Sequence, residues 1–118
     1  MEDKETKRKT IGLTCKAKLF GKKTGHRELL ARVDTGAALC SVDLDIAAEL
    51  RLGPIVKAKK VRSSNASMKR PIVKAQLEVE GKKIVVSFSI SDRSHMSYPV
   101  LIGRNALKKF GFLIDPVE

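Results

Sequence analysis

Residues 31–41 read "ARVDTGAALCS", and Asp34 is the side chain in that stretch best able to do chemistry. It follows Val33 and precedes three small residues, Thr35, Gly36 and Ala37. A carboxylate placed behind an apolar run is costly to bury, so it needs a hydrogen-bond donor, a partner or a catalytic task. Asp-Thr-Gly also makes an ordinary turn, with the Asp side chain accepting from the backbone. A second stretch, "PVLIGRNAL" at 99–107, carries another apolar run into Gly103 and Arg104. Two such stretches in one short chain point away from an isolated turn.

The elements that must position these residues read mainly as strands. Leu13, Cys15, Ala17 and Leu19 alternate with Thr14, Lys16 and Lys18, the period of a half-buried strand. "GKKTG" at 21–25 is a turn, and 27–33 form a second strand with Leu29, Ala31 and Val33 on one face. Asp43 can cap a short helix in which Ile46 and Leu50 share a face, with Gly53 placed as its C-terminal cap. Residues 55–62 are extended, and "SSNAS" at 63–67 is a loop or hairpin tip. Val73, Ala75, Leu77 and Val79 alternate inward, Gly81 turns the chain, and Ile84, Val86, Phe88 and Ile90 alternate again, which predicts a hairpin. "YPVLIG" is a short apolar strand, and "RNALKKF" is a short helix with Lys108 and Lys109 at its negative end and Gly111 as its stop. "FLID" is a last strand. The pattern predicts an all-β domain, a small barrel or sandwich, with two short helices. Residues 1–10 read as a charged tail and 11–118 as the single domain.

A chain of 118 residues can bury roughly two thirds of its unfolded surface, enough for a real core. With four Phe, one Tyr and no Trp, that core rests on Val, Ile, Leu and Ala. The formal charge of +11 suits a nucleic-acid partner or a merely soluble basic surface. No apolar stretch reaches the ~18 residues a membrane helix needs, and the N-terminal ten residues lack an apolar signal core, so a cytoplasmic location is expected. Cys15 and Cys40 make neither a disulfide framework nor a zinc motif.

"DTGA" at 34–37 followed by "PVLIGRNAL" at 99–107 resembles the retropepsin-type aspartic proteases, the small dimeric relatives of pepsin. A nearer likeness is to a bacterial and archaeal branch often labelled ATP-dependent zinc protease, carried by "VDTGA", "VRSSN", "RPIV" and "DRSHMSYPVLIGRNAL". Some members of that branch are associated with a RimK-type ligase that adds glutamates to a ribosomal protein. The resemblance implies a closed barrel of the acid-protease type. It implies an endopeptidase in which Asp34 from each of two subunits activates a water, so a homodimer acting on peptide or protein. Thr35 would bond across the dimer, Gly36 would offer its carbonyl to substrate, and Ala37 would line the cleft. Ile102 and Gly103 would pack beneath the Asp34 loop, and Arg104 would anchor the short helix. Residues Arg62, Ser63, Ser64, Asn65, Ala66 and Ser67 would form the flap over substrate.

The zinc in that label finds no support in the residues. Zinc catalysis needs about three clustered ligands, whereas His26 and His95 are far apart and no His-Glu-x-x-His occurs. "GKKTG" lacks the spacing of a phosphate loop, so neither a metal nor a cofactor is expected. The chain also departs from the retroviral pattern. Ala38 and Leu39 stand where retroviral enzymes carry two acids, no glycine lies between Gly53 and Gly81, and Pro116 interrupts pairing near the C-terminus. Two alternatives therefore stay open: a non-catalytic peptide-binding or assembly module on the same fold, or a nucleic-acid or ribosome binder. Lys57, Lys59, Lys60, Arg62, Lys69 and Arg70 form a basic stretch, and no acid occurs between Glu49 and Glu78. That stretch suits nucleic acid, or acidic peptides such as polyglutamate tails.

Overall fold

The computed structural model describes residues 8–62 and 67–117, with backbone alone over 59–62 and 67–68. In chain order the elements are β1 (Thr10–Ile11), β2 (Thr14–Phe20), β3 (His26–Val33), β4 (Cys40–Asp43), α1 (Leu44–Glu49), β5 (Lys57–Arg62), β6 (Ser67–Val79), β7 (Lys82–Ser91), β8 (Val100–Ile102), α2 (Arg104–Phe110) and β9 (Leu113–Ile114). Six strands run in the order β2-β3-β8-β4-β7-β6, and pairing of β2 with β6 closes the ring. The fold is thus the mostly-β closed barrel, with two short helices, that the sequence predicts. β5 pairs with β6 and stands outside the ring.

The alternating residues fill the barrel. Ala17, Leu19, Leu29, Ala31, Val33, Val73, Ala75, Leu77, Val79, Val86, Phe88 and Ile90 are all buried. Each large aliphatic among them contributes on the order of 1.5–3 kcal/mol by leaving water. The β6–β7 hairpin forms where expected, with Val73 opposite Phe88 and Val79 opposite Lys82. Glu80 and Gly81 both take positive φ, 52° and 79°, the paired left-handed turn whose twist matches antiparallel strands.

Four local features differ from the sequence reading. Leu13 precedes β2 and is 49% exposed, while its carbonyl accepts from Val33 N–H at 2.8 Å. α1 is capped by Asp43 as expected, but ends at Glu49 rather than near Gly53. Arg51 takes φ 51°, and Leu52 N–H reaches back to the Ala47 carbonyl at 2.9 Å, so the turn closes as soon as Ile46, Ala47 and Leu50 are buried. β4 has no sequence signal because all four of its residues are buried, which erases alternation. Thr10, within the charged stretch read as a tail, pairs with Leu113 in a parallel two-stranded sheet of β1 and β9. No helix among the described residues is long and apolar enough to cross a membrane.

Candidate active site

The strand order around Asp34 explains the shape of its loop. β3 and β4 are consecutive in sequence but not neighbours in the sheet. β8 lies between them, parallel to β3 and antiparallel to β4. The 34–39 loop joining β3 to β4 must therefore cross the C-terminal end of β8. Val33 is opposite Ile102, so Asp34 emerges where β8 ends.

Backbone bonds hold the crossing. Asp34 N–H donates to the Ile102 carbonyl at 2.9 Å, and Ala37 N–H donates to the Asp34 carbonyl at 3.3 Å. Gly36 N–H donates to Asp34 Oδ1 at 2.9 Å, which fixes the carboxylate's orientation. A Cβ at Gly36 would sit 3.2 Å from that same oxygen, so glycine lets the backbone come in close. Asp34 is half-buried, while Thr35 and Gly36 are exposed. The carboxylate is thus oriented by its own loop and still reachable.

α2 supports the loop from below. Arg104 N–H donates to the Ala37 carbonyl at 2.8 Å and Asn105 N–H to the Ala38 carbonyl at 3.2 Å. Arg104 Nη1 donates to the Thr35 carbonyl at 3.0 Å, so with Ala38 and Leu39 replacing acids the guanidinium uses the loop's backbone instead. Gly103 is where the loop rests. A Cβ there would lie 2.5 Å from the Leu39 backbone carbonyl group and 3.0 Å from the Ala37 carbonyl oxygen. Asp34, Thr35, Gly36, Ala37, Ile102, Gly103 and Arg104 are therefore one cluster. Ser63, Ser64, Asn65 and Ala66 lie outside the described residues. Arg62 and Ser67 are opposite each other at the ends of β5 and β6, with their backbones alone described.

Three residues central to this region carry no site role in the sequence reading, although Asn105 lies within the 99–107 stretch and Cys40 within the 31–41 stretch. Asn105 bridges several elements: its Oδ1 accepts from Cys40 N–H and from Ala106 N–H, each at 3.0 Å, and its Nδ2 donates to the Ser87 carbonyl at 2.9 Å. The Cys40 thiol lies in the same knot, 3.3 Å from Asn105 Oδ1, and burial pushes its pKa up to about 11 despite the backbone N–H of Gly103. Asp43 is only 9% exposed, yet both its oxygens are engaged: Oδ1 accepts Arg93 N–H at 2.7 Å and Oδ2 accepts Asp45 N–H at 3.1 Å. The only available signal was that Asn105 follows Gly103 and Arg104 and that Asp43 sits at a helix start. Among the described residues no group of three His, Cys, Asp or Glu side chains is gathered in a way that could hold a metal ion.

A closed barrel with β8 threaded between β3 and β4, and an Asp-Thr-Gly loop crossing its end, defines a single-lobed barrel of the retropepsin-like type. The family model described as RimB-like, retropepsin-like aspartic endopeptidase RimB, matches residues 45–118, and the chain belongs to that family. The matched stretch includes Ile102, Gly103 and Arg104 and leaves Asp34 outside it. A crystal structure of a protein of unknown function from Legionella pneumophila is similar in fold, with a TM-score of 0.65 and 19% identity over 93% of this chain and 95% of that one. No curated protein matches.

Proposed function

We propose that this chain is an aspartic endopeptidase whose site is completed by a second copy of itself. The observation that supports the reading is Asp34: a half-buried carboxylate, oriented by Gly36 N–H at 2.9 Å, on a loop pinned to β8 and α2. A single carboxylate cannot serve as base and acid at the same moment. Two copies related by a two-fold axis would bring Asp34 to Asp34, and two carboxyl groups about 3 Å apart share one proton. The ionised one takes a proton from water as the water attacks the scissile carbonyl. The protonated one donates to the carbonyl oxygen. Collapse of the tetrahedral intermediate then returns a proton to the leaving amine. Thr35, exposed beside the carboxylate, would bond across the axis, and Ala37 would leave room for the peptide.

The test is peptide hydrolysis by wild type and Asp34→Asn, with sedimentation of both over a wide concentration range. Asn can still accept from Gly36 N–H, so the fold should survive while turnover falls by at least about 10²–10⁴-fold. A pepstatin-like mimic of the tetrahedral state should inhibit the wild type. Undiminished hydrolysis by Asp34→Asn would overturn the assignment.

One observation favours a second reading. β1 and β9 pair within the same chain, Thr10 with Leu113 and Ile11 with Ile114. Termini engaged in this way do not supply the interleaved sheet that holds retroviral dimers. A monomeric, non-catalytic peptide-binding module would account for that. A chain that stays monomeric at every concentration, with and without peptide, would favour it.

A further inference from the structure

Part of one β7 edge has no strand beside it. β4 pairs with β7 only from Phe88 to Ser91, and α2 closes the rest: Asn105 Nδ2 donates to the Ser87 carbonyl at 2.9 Å and Lys109 Nζ to the Val85 carbonyl at 2.8 Å. Over this seam the outer wall of the barrel is hollowed. Ala75 and Val86 are buried in the barrel, so Lys74, Gln76, Val85 and Ser87 face outward, and Phe20 lies opposite Gln76 in the same row. Val85 is 52% exposed there. Two cavities open on this wall and meet at Lys74 and Val85. One, of about 390 Å³, is flanked by Phe20, Lys22 and Leu52, with Gln76 between them. The other, of about 410 Å³, reaches Leu39, Asn105 and Lys109. None of residues 34–37 lines either one.

Both ends of the groove are fixed. Gly21 N–H donates to the Gly25 carbonyl at 2.8 Å, and Thr24 Oγ1 donates to the Leu50 carbonyl at 2.8 Å, which ties the 21–25 turn carrying Lys22 to the end of α1. At the other end α2 is tied to β7 by the Asn105 and Lys109 bonds. A preformed groove has little ordering left to do when a ligand arrives. Its charge is one-sided. Lys22, Lys74 and Lys109 are exposed on it, and no Asp or Glu lines it. Among the described residues Lys22 and Lys74 have no bonded partner. The acid of the next row, Glu78, lies opposite Lys18 and Lys83, and its carboxylate is 3.9 Å from Lys83 Nζ.

The surface between these lysines is mostly aliphatic, from Leu39, Leu52 and Val85. Phe20 is the one aromatic that lines the groove, and its ring already has the Lys83 ammonium 5.0 Å from its centroid and the His26 ring 5.1 Å away. A strand of bases needs open aromatic faces to stack on, so a nucleic acid fits this surface poorly. A second copy of a chain with formal charge +11 would bring like charge to it. We propose that the groove docks a segment of a partner protein in which acidic residues flank aliphatic ones. Its carboxylates answer Lys22, Lys74 and Lys109, and its aliphatic side chains cover Leu52 and Val85. This docking surface does not depend on hydrolysis at Asp34.

The probe is a fluorescent peptide of about ten residues alternating Glu and Leu, long enough at ~3.3 Å per residue to span both cavities. Asp34→Asn protein is used so that the probe stays intact. Affinity is read by anisotropy, and location by amide chemical-shift mapping of isotope-labelled protein. Shifts should centre on Gln76, Val85 and Ser87 and spare Thr35 and Gly36. Lys74→Glu and Val85→Asp, both at exposed positions, should each weaken binding by about tenfold or more, the first by charge repulsion and the second by placing a carboxylate under the aliphatic side chains. Changing Leu to Ser or Glu to Gln in the probe should weaken binding by a similar factor. The proposal is overturned if the probe does not bind, if the shifts centre on residues 34–37, or if the Gln probe binds as well as the Glu probe. It is also overturned if oligothymidylate binds more tightly than the peptide and is weakened by Lys74→Glu, which would make nucleic acid the partner. Where circular dichroism shows Val85→Asp unfolded, Lys74→Glu and the shift map decide, and undiminished affinity in Lys74→Glu overturns the proposal.

Discussion

The Asp34 loop and the β5–β6 hairpin are held in place by opposite means. The loop is short and bound from several directions: by Ile102 beneath Asp34, by Arg104 and Asn105 of α2, and by the Arg104 side chain on Thr35. The hairpin is a ladder. β5 pairs with β6 from Lys57 opposite Ile72 to Arg62 opposite Ser67, stands outside the barrel ring, and exposes Lys57 and Ala58. A group that must hold a water or a proton at a fixed place needs the first kind of support. An element that admits and covers substrate can be built on the second. The difference teaches that the Asp34 loop is tied to distant segments from several sides, whereas β5 is held by one ladder.

That contrast can be broken at graded strengths. Gly103→Ala should have the largest effect. Its Cβ would press on backbone, with Leu39 at 2.5 Å and Ala37 at 3.0 Å, and backbone at a strand crossing has no easy way to yield. A loss of about 3 kcal/mol in urea unfolding is expected, together with loss of any Asp34-dependent activity. Little change in either would mean that the loop is not seated as described.

Asn105→Ala should follow, at about 2 kcal/mol, because it leaves Cys40 N–H and the Ser87 carbonyl without their partner. Asn105→Asp tests the same bonds more sharply. Oδ1 can still accept, but the donor to Ser87 is gone, so an intermediate loss is expected in the same urea titration.

Cys40 predicts the direction of alkaline behaviour. An unfolded thiol titrates near 9.0, whereas the buried one is pushed up to about 11. Between those values the unfolded chain releases its proton first, so folded-state stability falls as pH rises through that window. The difference is on the order of 2 kcal/mol. Cys40→Ala should lose this part of the pH dependence, read as the difference in unfolding free energy between pH 8 and pH 11. A parallel pair of curves would show that Cys40 is not shielded.

Substitutions on the hairpin should be the mildest. Lys57→Ser removes an exposed side chain from a strand outside the ring, and unfolding free energy should change by no more than about 0.5 kcal/mol. A loss approaching that of Asn105→Ala would erase the proposed distinction between the two regions.

Much of the fold could be read from residue order. Leu29, Ala31 and Val33, and the two alternating runs around Gly81, declare half-buried strands, and the structure buries them, Ile84 only in part. Asp43 announced a helix start and Gly111 a helix end, both confirmed, with Gly111 at φ 70°. Local chemistry was sufficient there, since a cap or an alternation needs only its neighbours. β4 could not be read, because a strand covered on both faces looks like any apolar run. The early end of α1 could not be read either, because Arg51 takes a left-handed conformation that glycine would normally advertise. Of the candidate site, Asp34 stood out by its type and place, while Thr35 through Ala37 and Ile102 through Arg104 entered through the resemblance to the retropepsin-type proteases. Asn105 lies inside the quoted 99–107 stretch, but its bonds to Cys40 and Ser87 could not be read, since an Asn at a helix start is ordinary until its partners are known.

What the sequence determined by itself was the set of pieces: alternating strands, two short capped helices, and an acid followed by small residues. These follow from interactions within a few residues, whose periods survive in any fold. The tertiary structure alone decided that β8 lies between β3 and β4, that Gly103 sits under Leu39, and that Arg93 N–H reaches Asp43. Those juxtapositions join residues dozens of positions apart. They depend on ring closure and on which backbone can approach which, and no local pattern encodes either.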